Sequence, residues 1–235
     1  VGIATGSIVG RMRFSPLVIW ISLWLLLVYY PLAHMVWGGG LLAQMGALDF
    51  AGGNVVHISS GVAGLVMALM VGKRVDYERI AYRPHNVPFV MLGTAILSFG
   101  WIGFNAGSAL GANASAIHAL ATTLVSSAAG LLSWLLIEKL VGSKPSLVGA
   151  STGLIAGLVA ITPGAGYVSV GAALIIGALV SPLCYFAISV LKKKWNYDDA
   201  LDAFGCHGVG GIFGGLMTAL FTDPLLTPEA GNVGL

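Results

Sequence analysis

The chain has 235 residues, of which 57% are hydrophobic and 9% charged, with a formal net charge of +2. A soluble domain carries about a quarter charged residues, and a chain this apolar cannot clothe itself in a solvated surface. That excludes a soluble protein with basic loops and leaves a membrane protein. Helices span rather than strands: a helical crossing needs about 20 apolar residues, whereas barrel strands are about 10 residues long and alternate polar with apolar. The blocks here are continuously apolar and rich in Ala, Leu and Gly.

Charge divides the chain. Between Arg13 and Lys73 the one charged residue is Asp49; none lies between Arg83 and Glu138, or between Lys144 and Lys192. Each gap holds two crossings and a turn, and the turns show as Gly38-Gly39-Gly40, Gly111-Ala112-Asn113 and Pro163-Gly164-Ala165-Gly166. All eleven basic residues fall between or outside these blocks: Arg11 and Arg13, then Lys73, Arg74, Arg79 and Arg83, then Lys139 and Lys144, then Lys192 to Lys194. The positive-inside rule makes those connections cytoplasmic and the uncharged turns external. The positive charge therefore faces anionic lipid, not nucleic acid.

In chain order, residues 1–10 are apolar but too short to cross, and read as the tail of a helix that starts upstream. Crossings are predicted near 14–36, 48–72, 87–107, 114–137, 146–162, 167–191 and 202–222. After Asp223 the chain turns polar, and the expectation is a fragment with material missing at both ends. Residues 1–235 read as a single partial domain of an all-α, polytopic transmembrane helix bundle in the cell membrane. Gly149, Gly153 and Gly157, Gly103, Gly107 and Gly111, and Gly210 with Gly214 are spaced for close helix packing. Cys184 and Cys206 sit in apolar segments and suggest neither a disulfide nor a metal motif.

Residues 47–69 read ALDFAGGNVVHISSGVAGLVMAL and residues 200–220 read ALDAFGCHGVGGIFGGLMTAL. Both begin Ala-Leu-Asp, reach one His and close on Ala-Leu. The charge pattern runs the first inward and the second outward, the signature of an inverted repeat with its path at the repeat interface. His34, His85 and His118 lie in loops or at helix ends. His57 and His207 lie inside crossings, where an ionisable group faces a cavity or a partner. They can be a helix–helix hydrogen bond, a site for a small polar guest, or a proton relay. A metal site would need further ligands, and none is apparent; two histidines can ligate haem, without any supporting pattern here. No cofactor and no catalytic group is expected.

Asp49 and Asp202 each fall near a helix N-terminus, where a carboxylate caps free N–H groups and complements the dipole. Asp49 lies eight residues before His57, about 12 Å along a helix, so it can also bias an external vestibule. Trp37 stands beside the external triple glycine, and Phe104 and Ser108 end another helix on the same side. Such aromatics commonly anchor membrane interfaces. An aromatic with a hydroxyl at a pore mouth also holds a small cation by cation–π attraction and a hydrogen bond.

The segments His34-Met-Val-Trp-Gly-Gly-Gly40, Ala47-Leu-Asp-Phe-Ala-Gly-Gly53 with Val56-His57, Gly100-Trp-Ile-Gly-Phe-Asn-Ala-Gly-Ser108 and Phe204-Gly-Cys-His-Gly-Val-Gly-Gly211 together resemble the ammonium transporter (Amt/Mep) family. The related Rhesus proteins share the paired histidines but look less like Trp37 and Gly100–Ser108. The resemblance implies eleven helices in two inverted halves, a homotrimer with one pore per subunit, and ammonium or ammonia as substrate. It makes His57 and His207 the pore histidines, Phe104 one ring of the gate, and Trp37 and Ser108 the external recruitment site, supported by Asp49. The second gate phenylalanine would lie before residue 1. The implied mechanism is capture of ammonium outside, deprotonation near Phe104, and passage of ammonia along the histidines. An alternative is an ammonium sensor that signals pore occupancy through the cytoplasmic loops to a nitrogen-regulatory protein. No enzyme activity is implied.

Overall fold

The computed structural model describes residues 1–77, 79 and 82–227. Apart from a single bridge pairing Val168 with Thr222, its ordered elements among the described residues are helices. A short α1 (Gly2–Gly6) precedes α2 (Phe14–Gln44), α3 (Gly53–Val71), α4 (Val87–Gly107), α5 (Ala114–Leu140), α6 (Leu147–Ile161), α7 (Val170–Trp195) and α8 (Phe204–Phe221). All but α1 and α6 are long and apolar enough to cross a bilayer. The predicted crossing at 146–162 is a helix of only 15 residues, and the turns around Pro163 to Gly166 continue it.

Capping follows the sequence. Asn86, Asn113, Ser146 and Ser169 each accept an N–H from the first turn of the helix they precede, satisfying donors that have no intrahelical partner. Gly38 and Gly39 break α2 after Trp37, Gly39 with φ of 74°, a conformation glycine adopts without steric cost.

The core gathers where α5, α6 and α7 meet, with Leu158, Ile161, Ile176 and Val180 fully buried. Small residues make that approach possible. A Cβ on Gly153 would enter the Gly130 carbonyl and the Trp134 side chain, and one on Gly157 would enter the backbone of Ser126. The spacing of Gly149, Gly153 and Gly157 thus serves packing as expected. The Gly103 series does not: nothing lies within 4 Å of a Cβ built on Gly103 or Gly107, because α4 turns that face away from its neighbours.

α3 and α8 cross in opposite directions. A Cβ on Gly61 would meet the backbone of Gly208, and one on Gly211 would approach the Gly53 carbonyl and the His57 side chain. Each helix opens with a turn of π-helix, Gly53–Ile58 in α3 and Phe204–Gly208 in α8. Each histidine therefore sits inside a π-turn, a rare local structure that concentrates at functional sites.

At the basic end, three of the charged segments are tied together around Asp198. Arg74 binds its carboxylate through Nε at 2.8 Å, Nη2 at 2.6 Å and its backbone N–H at 2.9 Å. Arg11 donates to the carbonyls of Ser7, Gly72 and Asp198. Asp198 is fully buried. Burial raises its pKa, the Arg74 hydrogen bonds and the nearby Arg11 charge lower it, and the net position is below the ordinary carboxylate value.

Candidate functional site

His57 and His207 come from the two π-turns and meet Nδ1 to Nδ1 at 3.2 Å. One of these nitrogens carries the proton and the other accepts it, so the accepting imidazole is neutral, and in the uncharged form of the pair both are. The pair then leaves one Nε2–H donor and one Nε2 lone pair. His57 is 2% exposed, and its Nε2 has no partner.

The pair lines a cavity of about 640 Å³ whose other walls include Ile96, Trp101, Phe104 and Leu201, with Gly2 and Gly6 of α1 on the remaining side. Two aromatic side chains join the histidines. Trp101 stacks on His57 with centroids 5.0 Å apart and planes 17° apart, and on His207 at 6.3 Å and 11°. Phe104 stands 6.2 Å from His57 and 6.0 Å from Trp101. Phe104 thus stands beside His57 and Trp101. Trp101 did not stand out in the sequence, although it lies three residues before Phe104 and so on the same helical face.

Asp49 lies in the loop that leads into α3. Its two carboxylate oxygens accept four backbone N–H groups, from Gly52, Gly53, Asn54 and Val55, at 2.6 to 3.2 Å. The predicted cap is therefore real and closes the start of the π-turn that carries His57. Asp49 is 4% exposed; burial pushes its carboxyl up from the ordinary value against the four N–H bonds that favour the charged form. The loop is held by the turn after α6, with Phe50 N–H on the Pro163 carbonyl and Ala51 N–H on that of Thr162.

Trp37 is 47% exposed and donates its indole N–H to the Asp49 carbonyl at 2.7 Å. Ser108 follows α4 by one residue and donates its hydroxyl to the Phe104 carbonyl at 2.8 Å. Asp49 and Trp37 are joined, and so are Phe104 and Ser108. Among the described residues no hydrogen bond or ring contact joins Ser108 to Trp37.

Asp202 is not a helix cap. Its backbone is left-handed, φ 55°, and its carboxylate pairs with Lys192 at 2.6 Å. The residue that reaches the start of α8 is Asp199, whose Oδ2 accepts the Phe204 N–H at 2.8 Å. Asp199 lies eight residues before His207, as Asp49 lies eight before His57. Matching the two Ala-Leu-Asp strings misaligned the repeats by three residues; the histidines set the register. His118, read from the sequence as lying in a loop or at a helix end, bonds the Val168 carbonyl at 2.8 Å and fastens the turn after α6.

The chain matches the family model described as Ammonium Transporter Family over residues 1–234. It is 53% identical over 233 residues to an ammonium transporter of Bacillus subtilis, covering 99% of this chain and 57% of that protein. It is 54% identical over 220 residues to one of Aquifex aeolicus, covering 94% and 51%. Its fold is similar to the crystal structure of Saccharomyces cerevisiae Mep2, with a TM-score of 0.89 at 40% identity over 97% of this chain and 53% of that one. It is also similar to a solved sensor Amt protein, with a TM-score of 0.89 at 33% identity over 95% and 58%. The chain spans about half the length of the curated relatives it matches. With a family model covering it almost end to end and relatives more than half identical, this multi-pass membrane protein belongs to the ammonium transporter family, a family of transporters and not of enzymes.

Proposed function

We propose that the full-length protein carries ammonium or ammonia across the cell membrane along the His57–His207 pair. The observation that supports this most is the Nδ1–Nδ1 bond of 3.2 Å at the wall of an apolar cavity. A neutral imidazole pair in apolar surroundings cannot repay the desolvation of a cation, but it offers a donor and an acceptor to a small neutral guest. Ammonia, with three donors and one acceptor, fits.

In this reading Trp37 and Ser108, at the end of the bundle away from the basic residues, receive ammonium from outside, with Asp49 holding the loop beneath. The exposed indole face supplies cation–π attraction. The ion gives up its proton near the Phe104 ring, ammonia passes the histidines, and the proton moves along them or returns outside. Potassium has no proton to lose and no hydrogen bond to donate. Assembly as a homotrimer, and docking of a cytoplasmic nitrogen-regulatory signalling protein on the basic end, belong to the same proposal.

The test is ammonium-evoked current and ammonium-over-potassium selectivity in proteoliposomes carrying the full-length protein. His57→Ala and His207→Ala together should abolish one or both. Unaltered conduction and selectivity in that double variant would remove the histidines from the mechanism.

A second reading, ammonium sensing, rests on the similarity to the solved sensor Amt protein. A response of downstream signalling to ammonium that persists in a non-conducting His57→Ala, His207→Ala variant would favour it.

A further inference from the structure

Behind the ring that stacks on both histidines lies a chain of buried polar groups that the transport reading leaves unused. The Trp101 indole N–H donates to the Thr162 hydroxyl at 3.1 Å. Thr162 spends its own hydrogen on the Leu158 carbonyl at 2.7 Å, so its lone pairs are left to accept. Asn105 stands beside it, Oδ1 at 3.4 Å, and is itself fixed through Nδ2 to the Thr123 hydroxyl at 3.0 Å. Thr162, Asn105 and Thr123 are all fully buried.

We infer that Thr162 is a positioning residue for the histidine pair, holding the Trp101 plane against which both imidazoles lie; this rests on the transport reading above. The indole N–H lies in the ring plane, so turning the ring breaks its bond to Thr162. A buried N–H left without an acceptor is costly, and among the described residues Thr162 is the hydrogen-bond partner that the indole N–H has. Because the indole plane is within 17° of one imidazole and 11° of the other, fixing it restricts the tilt of both. Thr162 also reaches the pair by a second route. Its backbone carbonyl accepts the Ala51 N–H at 3.2 Å, in the loop that leads to His57. One residue after α6 thus steadies the stacking ring through its side chain and the loop into α3 through its backbone.

The experiment separates the side-chain route, which Thr162→Val removes at nearly constant volume while sparing the backbone. Full-length wild type, Thr162→Val, Thr162→Ser, Trp101→Phe and the double variant Thr162→Val with Trp101→Phe are reconstituted for current and ammonium-over-potassium selectivity. The Trp101 indole N–H resonance is followed by nitrogen-15 labelling and assigned by its loss in Trp101→Phe. Thr162→Val should shift that resonance upfield and lower selectivity about fivefold or more. Thr162→Ser should restore both, Trp101→Phe should lower selectivity comparably, and the double variant should match Trp101→Phe within about twofold. The inference is overturned if Thr162→Val shifts the resonance and keeps wild-type selectivity, if Thr162→Ser is as impaired as Thr162→Val, or if the two substitutions act independently. Wild-type selectivity in Trp101→Phe overturns it even where Thr162→Val does not accumulate. Failure of the underlying reading shows separately, as unchanged transport in the double histidine variant.

Discussion

The indole of Trp37 is fastened to the backbone carbonyl of Asp49 at 2.7 Å. The carboxylate of the same aspartate closes the first turn of α3. The exposed Trp37 and the helix that carries His57 therefore share one residue, through different atoms.

Asp49→Asn should be strongly destabilising although it changes no volume. An amide has one acceptor oxygen where the carboxylate has two, and its NH2 would face N–H donors. Two of the four N–H groups lose their partner in a buried site, at a cost of about 2–5 kcal/mol. Thermal unfolding in detergent should show a clear fall in midpoint. A midpoint equal to wild type would mean that the cap contributes nothing.

Trp37→Phe keeps an aromatic face and loses the bond to Asp49; Trp37→Leu loses both. Cation–π attraction at an exposed ring is worth about 0.5–1 kcal/mol. Trp37→Leu should therefore raise the half-saturating ammonium concentration about two- to fivefold or somewhat more, with less effect on maximal rate. Trp37→Phe should fall between Leu and wild type. A maximal rate that collapses at unchanged affinity would place Trp37 in a later step.

Arg74→Ala leaves the fully buried Asp198 carboxylate with the backbone N–H of residue 74 and, as its charged partner, the more distant Arg11 guanidinium, 3.6 Å away. Removing one partner of a buried pair costs about 3–5 kcal/mol. Arg74→Lys should recover part of this, since it restores charge but not the two-nitrogen grip. The pH sign follows from the lowered pKa of Asp198. Its stabilising contribution is present above the unfolded carboxylate value of about 4 and is lost as pH falls through the lower folded value. Asp49 and Asp202, whose carboxyls burial pushes up, titrate in the opposite sense. The informative quantity is the difference between wild type and Asp198→Asn. It should be constant from neutrality to about pH 5 and shrink below about pH 4.

Gly61→Ala should separate the two helices that carry the histidines. The new methyl would lie inside the Gly208 backbone, which cannot rotate away as a side chain could. Overpacking of this kind costs about 1–3 kcal/mol or more, and the His57–His207 bond should lengthen with it. Loss of ammonium selectivity alongside a lowered unfolding midpoint is the expected result; full activity would show that the crossing has slack.

Much of the bundle was legible because membrane helices must satisfy two conditions that leave marks in sequence: no charge across the span, and turn residues at its ends. The blocks free of Lys and Arg fell onto helices, and the turns onto Gly38, Asn113 and Pro163. Asp49 and the histidines were legible as ionisable groups in a chain with few of them. Three things were not. The π-turns at His57 and His207 leave no periodic trace, since one extra residue per turn is set by packing between α3 and α8. Trp101 is one aromatic among many until the fold brings its plane against two imidazoles. Asp199 was hidden by a matching Ala-Leu-Asp string three residues downstream; identity of letters outweighed the distance to the histidine, which is what geometry preserves.

The π-turns carry a consequence for how this site tolerates length changes. A residue inserted into a helix rotates everything beyond it by about 100° relative to what precedes it. Each histidine lies within such an insertion. Deleting one residue between Gly53 and Ile58, or between Phe204 and Gly208, would let the backbone relax into regular α-helix with better hydrogen bonding. The same relaxation would swing the imidazole off its partner. The irregular turn, not the regular helix, is what brings the two imidazoles together.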